Sequence, residues 1–170
     1  MTSKPRTMSK YHANRNLPVF MTIVVALMLT MMPLPDSMSA FRPDWVALII
    51  LFWAMTVPRS YGVGAAFITG IFVDVAQATL LGQYALALVV ITYITVKSHL
   101  LIRVFPLLQL TATIFALLAL YQFLLFWING VAGVEAPAVS YWGPVITGTL
   151  IWPLLYSFMS NVRNRVQLGN

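Results

Sequence analysis

From residue 17 to residue 160 the sequence is a succession of apolar runs, each about 13 to 25 residues long and parted by short breaks. Lipid offers a peptide backbone no hydrogen bonds, so a segment that enters it must satisfy its own N–H and C=O groups, which a helix does. Crossing ~30 Å of hydrocarbon takes roughly 17 to 25 mostly apolar residues in that form. Water is excluded as the main solvent by the charge content: 8% charged residues, four of them acidic in a chain of 170, cannot coat a soluble globule. The mean hydropathy of +0.85 agrees. The chain reads as an all-α integral membrane protein with no room for a soluble domain.

The breaks define six spans. They cover 17–32, ended by Pro33 and Pro35; 45–57, closed by Pro58 and Arg59; 61–80; 84–96; 107–131; and 141–160. Span two is short, so Phe41 to Asp44 must reach into the interface. Spans three and four nearly touch, which makes them a helical hairpin. Residues 1–16 form a basic tail, 17–160 a single six-helix domain, and 161–170 a short C-terminal tail. A cleaved signal peptide competes for the first span, because a basic stretch, an apolar run and the string SMSA follow in order. Met38 fills the place where a small residue is wanted and the prolines come early, which favours a retained span.

Charge placement tests this partition. A sequence pI near 10.0 suits nucleic-acid binding, yet the basic residues flank apolar runs along the whole chain and read as topology signals. With both termini cytoplasmic, Lys4, Arg6, Lys10, Arg15, Arg59, Lys97, Arg103, Arg163 and Arg165 all fall inside. Arg42 alone falls outside, with Asp36, Asp44 and Glu135. Merging spans three and four would strand Lys97, Arg103, Arg163 and Arg165 on the wrong face. Trp45, Tyr141 and Trp142 sit near the outer boundary, where amphipathic rings prefer to lie. Chemistry is sparse. The absence of cysteine excludes a disulfide framework, a thiolate metal site and a cysteine nucleophile. There is no H-E-x-x-H, no G-x-S-x-G and no Gly-rich phosphate loop, and no cofactor or metal is expected.

The exception is GIFVDVAQATLLG, Gly70 to Gly82, which carries Asp74 inside span three. A carboxylate at the bilayer centre costs roughly 2.5–3.5 kcal/mol on insertion scales, so it should face protein or water. Gly62, Ala66, Gly70, Asp74, Ala78 and Gly82 recur every fourth residue, a small-xxx-small row that lets another backbone approach. A helix drifts ~40° per such step, so Ala66, Gly70 and Asp74 are the members that share one face. Several readings of Asp74 stand open. Asp74 to Gln77 resembles a capping box that restarts a helix, or the carboxylate bonds neighbouring helix groups. It could form a buried ion pair with Arg42, or serve catalysis or proton transfer, including an aspartyl dyad with Asp44.

A second string, FRPDWVALIILFW, runs from Phe41 to Trp53. Pro43 presets the backbone for a first helical turn, Asp44 places negative charge at the positive end of span two, and Trp45 anchors at the interface. Arg42, Pro43, Asp44, Trp45, Ala66, Gly70, Asp74 and Gly82 are therefore the candidate partner-interface or structural-core residues.

Taken in order, the basic tail, RPDW with its apolar run and Trp53, the loop PRSYGVG, the Gly70 to Gly82 string and the pair Trp152–Pro153 resemble the rod shape-determining protein MreD family. The likeness covers nearly the whole chain, although the N-terminal tail is longer and more basic than the family leads one to expect. The resemblance implies a multi-pass protein of the bacterial inner membrane, similar in fold to the substrate-binding components of ECF-type vitamin transporters. It further implies a non-catalytic scaffold of cell elongation that binds MreC and connects with MreB, RodA and the elongation transpeptidase. The alternatives are a small-molecule transporter component, suited by Gln77, Thr79, Gln83, Gln122 and Asn129, or an intramembrane aspartyl peptidase.

Overall fold

The computed structural model describes residues 9–33, 35, 40–58, 62–102, 104–134 and 139–168, with side chains described from residue 17 to residue 164 of these, residues 139 and 140 excepted. Asp36, Arg59, Arg103 and Glu135, which carry part of the charge alternation, lie outside the described residues, as does most of the SMSA string. Six helices and no strand occur among the described residues: α1 Ser9–Met31, α2 Trp45–Thr56, α3 Val63–Ala76, α4 Gln83–Ile102, α5 Leu107–Val131 and α6 Val139–Leu168.

Three of them are long and apolar enough to cross a membrane: α4, α5 and the stretch Tyr141–Asn164 of α6. The apolar helical stretches Leu17–Met31, Trp45–Thr56 and Val63–Ala76 are shorter. At 1.5 Å per residue the last two reach about 18 and 21 Å, less than the hydrocarbon thickness.

Shortness suits α2 to its position. Every residue from Val46 to Met55 is buried, so the helix is apolar all round and forms the centre of the bundle, packed on α1, α4 and α6. α3 packs chiefly on α4, α4 on α5, and α5 on α6. The α3–α4 hairpin expected from the near-contact of spans three and four is present.

Several boundaries differ from the spans read in the sequence. α3 stops at Ala76 because its end is closed by backbone bonds, Thr79 N–H to Asp74 C=O at 3.1 Å and Ala78 N–H to Val75 C=O at 3.3 Å, with Ala78 at φ 51°. This is the double closure that usually takes glycine at the left-handed position. α4 continues through Lys97 and His99 to Ile102, six residues past the expected end at 96. Lys97 does not end it, since its ammonium lies 5.9 Å from the Tyr93 ring on the preceding turn. α1 begins at Ser9, inside the basic tail, and α6 runs on to Leu168, through most of the C-terminal tail.

Candidate functional site

The candidate residues gather at one end of the bundle, where the C-termini of α1, α3 and α5 meet the N-termini of α2, α4 and α6. Charges here are matched to helix termini. The last four carbonyls of a helix lack intrahelical donors and carry partial negative charge, and the first N–H groups the reverse.

Asp74 is 1% exposed and accepts hydrogen bonds from three backbone amides of the next helix's start: Gly82 and Tyr84, both at 2.8 Å, and Ala85 at 3.4 Å. The Thr79 hydroxyl adds a fourth donor at 3.4 Å. A carboxylate from the last turn of α3 thus caps the N-terminus of α4. The capping box within Asp74 to Gln77 does not form, because Asp74 lies inside α3 and Gln77 is its C-cap. Nor does the ion pair with Arg42. Arg42 instead donates through Nη2 to the Leu29 carbonyl, one of the orphan acceptors at the end of α1. The charges separate because each finds a helix terminus of opposite sign nearby.

Asp44 occupies the N-cap position of α2 without bonding its own helix. Its carboxyl accepts from the Gln122 side-chain amide of α5. Asp44 precedes α2, outside the apolar helix, and burial pushes its carboxyl up to about 7, against the Gln122 hydrogen bond and the Arg42 charge, which lower it. No hydrogen bond joins Asp44 to Asp74 among the described residues. Each carboxyl is held by a different element, so the shared-proton contact of an aspartyl dyad is not made. The Pro43 carbonyl accepts from the Trp45 amide at 2.9 Å, turning the chain into α2, and Trp45 packs partly buried against the core.

A second polar thread ties three helices. Gln83 of α4 donates to Asn129 Oδ1 of α5, and Asn129 Nδ2 donates to the Tyr141 hydroxyl of α6, each at 2.9 Å. Beside it, Gln122, Phe123, Phe126, Tyr141 and Trp142 line a cavity of about 230 Å³ between α5 and α6.

The small-residue row is spent inside the chain. A Cβ at Gly70 would land on the backbone of Ala85, so only glycine lets α3 and α4 approach this closely. Ala66 is buried toward Ile50 and Trp53 of α2, and Gly82, at φ 97°, makes the turn that aims its own N–H at Asp74. Ala78 is exposed and Gly62 only partly buried, since both lie beyond the ends of α3.

One contact was not signalled in the sequence. At Gly143 a Cβ would meet the Ala40 carbonyl, seating the start of α6 under the chain before α2. Nothing in the local sequence marks that pairing, since both partners are small and over 100 residues apart. The Gln122 to Asp44 bond is different, because both ends were visible as polar residues in the same half of the bundle.

A family profile described as rod shape-determining protein MreD matches residues 13–162. The rod shape-determining protein MreD of Haemophilus influenzae is 25% identical over 148 residues, which cover 85% of this chain and 90% of that protein. No solved structure matches the chain.

Proposed function

The chain belongs to the MreD family of rod shape-determining proteins, and from that membership we propose that it acts without catalysis as a scaffold of the cell-elongation machinery in the bacterial cytoplasmic membrane. In this reading the six helices cross the membrane as one domain, with both tails in the cytoplasm. The polar end with Asp44 and Asp74 faces outward. The chain binds MreC and helps couple MreB to the RodA glycosyltransferase and the elongation transpeptidase.

The observation that carries the reading is the engagement of both buried carboxyls by the chain's own groups, Asp74 by the start of α4 and Asp44 by Gln122. Both carboxyls already accept from the chain's own amides, while the outward faces of the helices are apolar, as with Phe67, Phe72, Phe123 and Leu150. Membrane-embedded contact is then the available means of action. Arg42, Pro43, Asp44, Trp45, Ala66, Gly70, Asp74 and Gly82 supply the supporting core of the partner surface. Depletion in growing rods, with MreC copurification measured in parallel, tests the proposal. Rounding of cells together with recovery of MreC on the tagged chain is the expected result; rods that keep their shape refute it.

The cavity between α5 and α6 favours a second reading, a small-molecule transporter component, because three aromatic walls adjoin two polar side chains. Mass spectrometry that finds a stoichiometric vitamin or metabolite on the purified protein would select it.

A further inference from the structure

The polar end of the bundle holds one feature that the two carboxyls leave unused, the cavity of about 230 Å³ between α5 and α6. Gln122, Phe126 and Asn129 recur at i, i+4 and i+7 on α5, one face of the helix, and that face meets the start of α6. Phe126 and Tyr141 stand edge to face, ring centroids 5.2 Å apart and planes at 86°, so they form a corner and not a stack. Phe123 and Trp142 complete the apolar walls and are exposed, which places the mouth of the cavity on the outer surface of the bundle.

Two side chains of the lining are more than nine-tenths buried and keep hydrogen-bonding capacity in hand. Gln122 is 6% exposed and Tyr141 8%. The Gln122 amide nitrogen is committed to Asp44, which leaves the oxygen of the same amide as an acceptor, and it accepts from no described residue. That oxygen is not one of the sealed, unpartnered atoms of the interior, Arg42 Nε, Thr92 Oγ1 and Trp152 Nε1, so its accessibility is toward the cavity that Gln122 lines. The Tyr141 hydroxyl oxygen accepts from Asn129, while its proton goes to no described residue.

An unspent acceptor and an unspent donor in one aromatic cavity select the class of occupant. An acyl chain covers both and pairs with neither, at about 1–3 kcal/mol for each group left unmade. A charged headgroup or ion meets no charged side chain among the described lining residues. Water answers both polar groups, but one molecule takes only about 30 Å³ and leaves the aromatic walls wet. A hydroxyl is donor and acceptor at once: it receives the Tyr141 proton and gives its own to the Gln122 oxygen, while an apolar body lies against the rings. The volume falls below the roughly 300–1,000 Å³ of pockets for drug-sized ligands, so that body is small, about one ring.

We infer that the α5–α6 cavity is a binding site for a small neutral alcohol with an apolar body, held between the Gln122 oxygen and the Tyr141 hydroxyl. The site stands whether the chain serves as a scaffold or in transport, and it gives a ligand class to the cavity that favours the second reading. The test titrates the purified full-length chain in detergent with para-fluorophenethyl alcohol and, separately, with para-fluoroethylbenzene, followed by fluorine NMR with empty micelles as the partition reference. Saturable binding of the alcohol, about tenfold tighter than that of the more apolar hydrocarbon, is expected. Tyr141→Phe keeps the ring and removes the proton, so it is expected to weaken the alcohol about tenfold and leave the hydrocarbon unchanged; mere disturbance of the cavity would weaken both.

A second measurement needs no variant. Photolabelling of the unaltered chain with a diazirine-bearing benzyl alcohol, mapped by peptide mass spectrometry, is expected to mark the segments of Phe123, Phe126 and Trp142. Equal affinity for alcohol and hydrocarbon overturns the site as apolar partitioning only. Absence of saturable binding overturns it in favour of water or a partner's side chain, and labelling confined to the side of the bundle formed by α1 and α3 overturns its location. None of these failures touches the scaffold reading, which is decided by cell shape and MreC recovery.

Discussion

α3 packs in two opposite ways. Toward α4 it is sealed: Gly70 lies on the Ala85 backbone, and Asp74 is held by the amides of Gly82, Tyr84 and Ala85. Toward α1 it is open: large apolar side chains line a cleft, with Thr69 among them. One fourteen-residue helix thus shows both fates of a polar or small residue in a membrane protein. On the sealed side such residues are consumed by the fold. On the open side Ala65 and Thr69 lie among large apolar side chains with no helix packed closely on them. The difference teaches that a buried carboxylate in a lipid-soluble chain need not signal chemistry: here it is consumed by the start of the next helix.

Substitution on the two sides should separate them sharply. Gly70→Leu forces a side chain into backbone that cannot yield, and a loss of more than about 3 kcal/mol is expected, seen as failure to accumulate folded protein. Ala65→Leu, five residues away on the open side, is expected to leave thermal stability in detergent nearly unchanged. Equal damage from both would erase the contrast.

Asp74→Ala comes next. It strands backbone amides that have no other acceptor, for an expected cost of about 2–4 kcal/mol. Hydrogen exchange at Gly82, Tyr84 and Ala85 should speed up more than exchange at mid-α4, and a uniform change along α4 would contradict the cap.

Asp44 offers a comparison between the two buried acids of the polar end, since a single amide holds it instead of a helix terminus. Its carboxyl, raised from the ordinary 3.8 to about 7, binds a proton more tightly in the folded chain than in the unfolded one. Stability should therefore fall as pH rises from about 4 through 7 and level off above that. Asp44→Asn, which carries no titrating group, should abolish the slope, as followed by unfolding at several pH values.

The smallest effect belongs to Ala78. At φ 51° it pays for a conformation that glycine adopts freely, so Ala78→Gly is expected to stabilise the α3–α4 turn by less than about 1 kcal/mol. A loss of stability would mean that this turn tolerates its strain through contacts of the alanine methyl.

The parts of this arrangement that were legible in the sequence are those set by single-residue physics. Apolar runs, prolines and the glycine row located the helices, and the cost of a charge in lipid required Asp74 to be buried. Its partner was hidden because the donors are backbone amides, which every sequence has. They reach the carboxylate through a turn that uses alanine where glycine would have announced it. α4 outran its expected end because Lys97 was read as a boundary, although its long stem lets the charge sit on a continuing helix.

The most direct test of the central claim, that Asp74 is architecture, is a paired measurement on Asp74→Asn: unfolding stability of the purified chain and shape of cells that depend on it. One oxygen survives to accept from α4, so the account predicts stability lowered by about 1–2 kcal/mol with rod shape maintained. Wild-type stability accompanied by round cells would contradict it, because the acid would then be needed for something other than holding the helix.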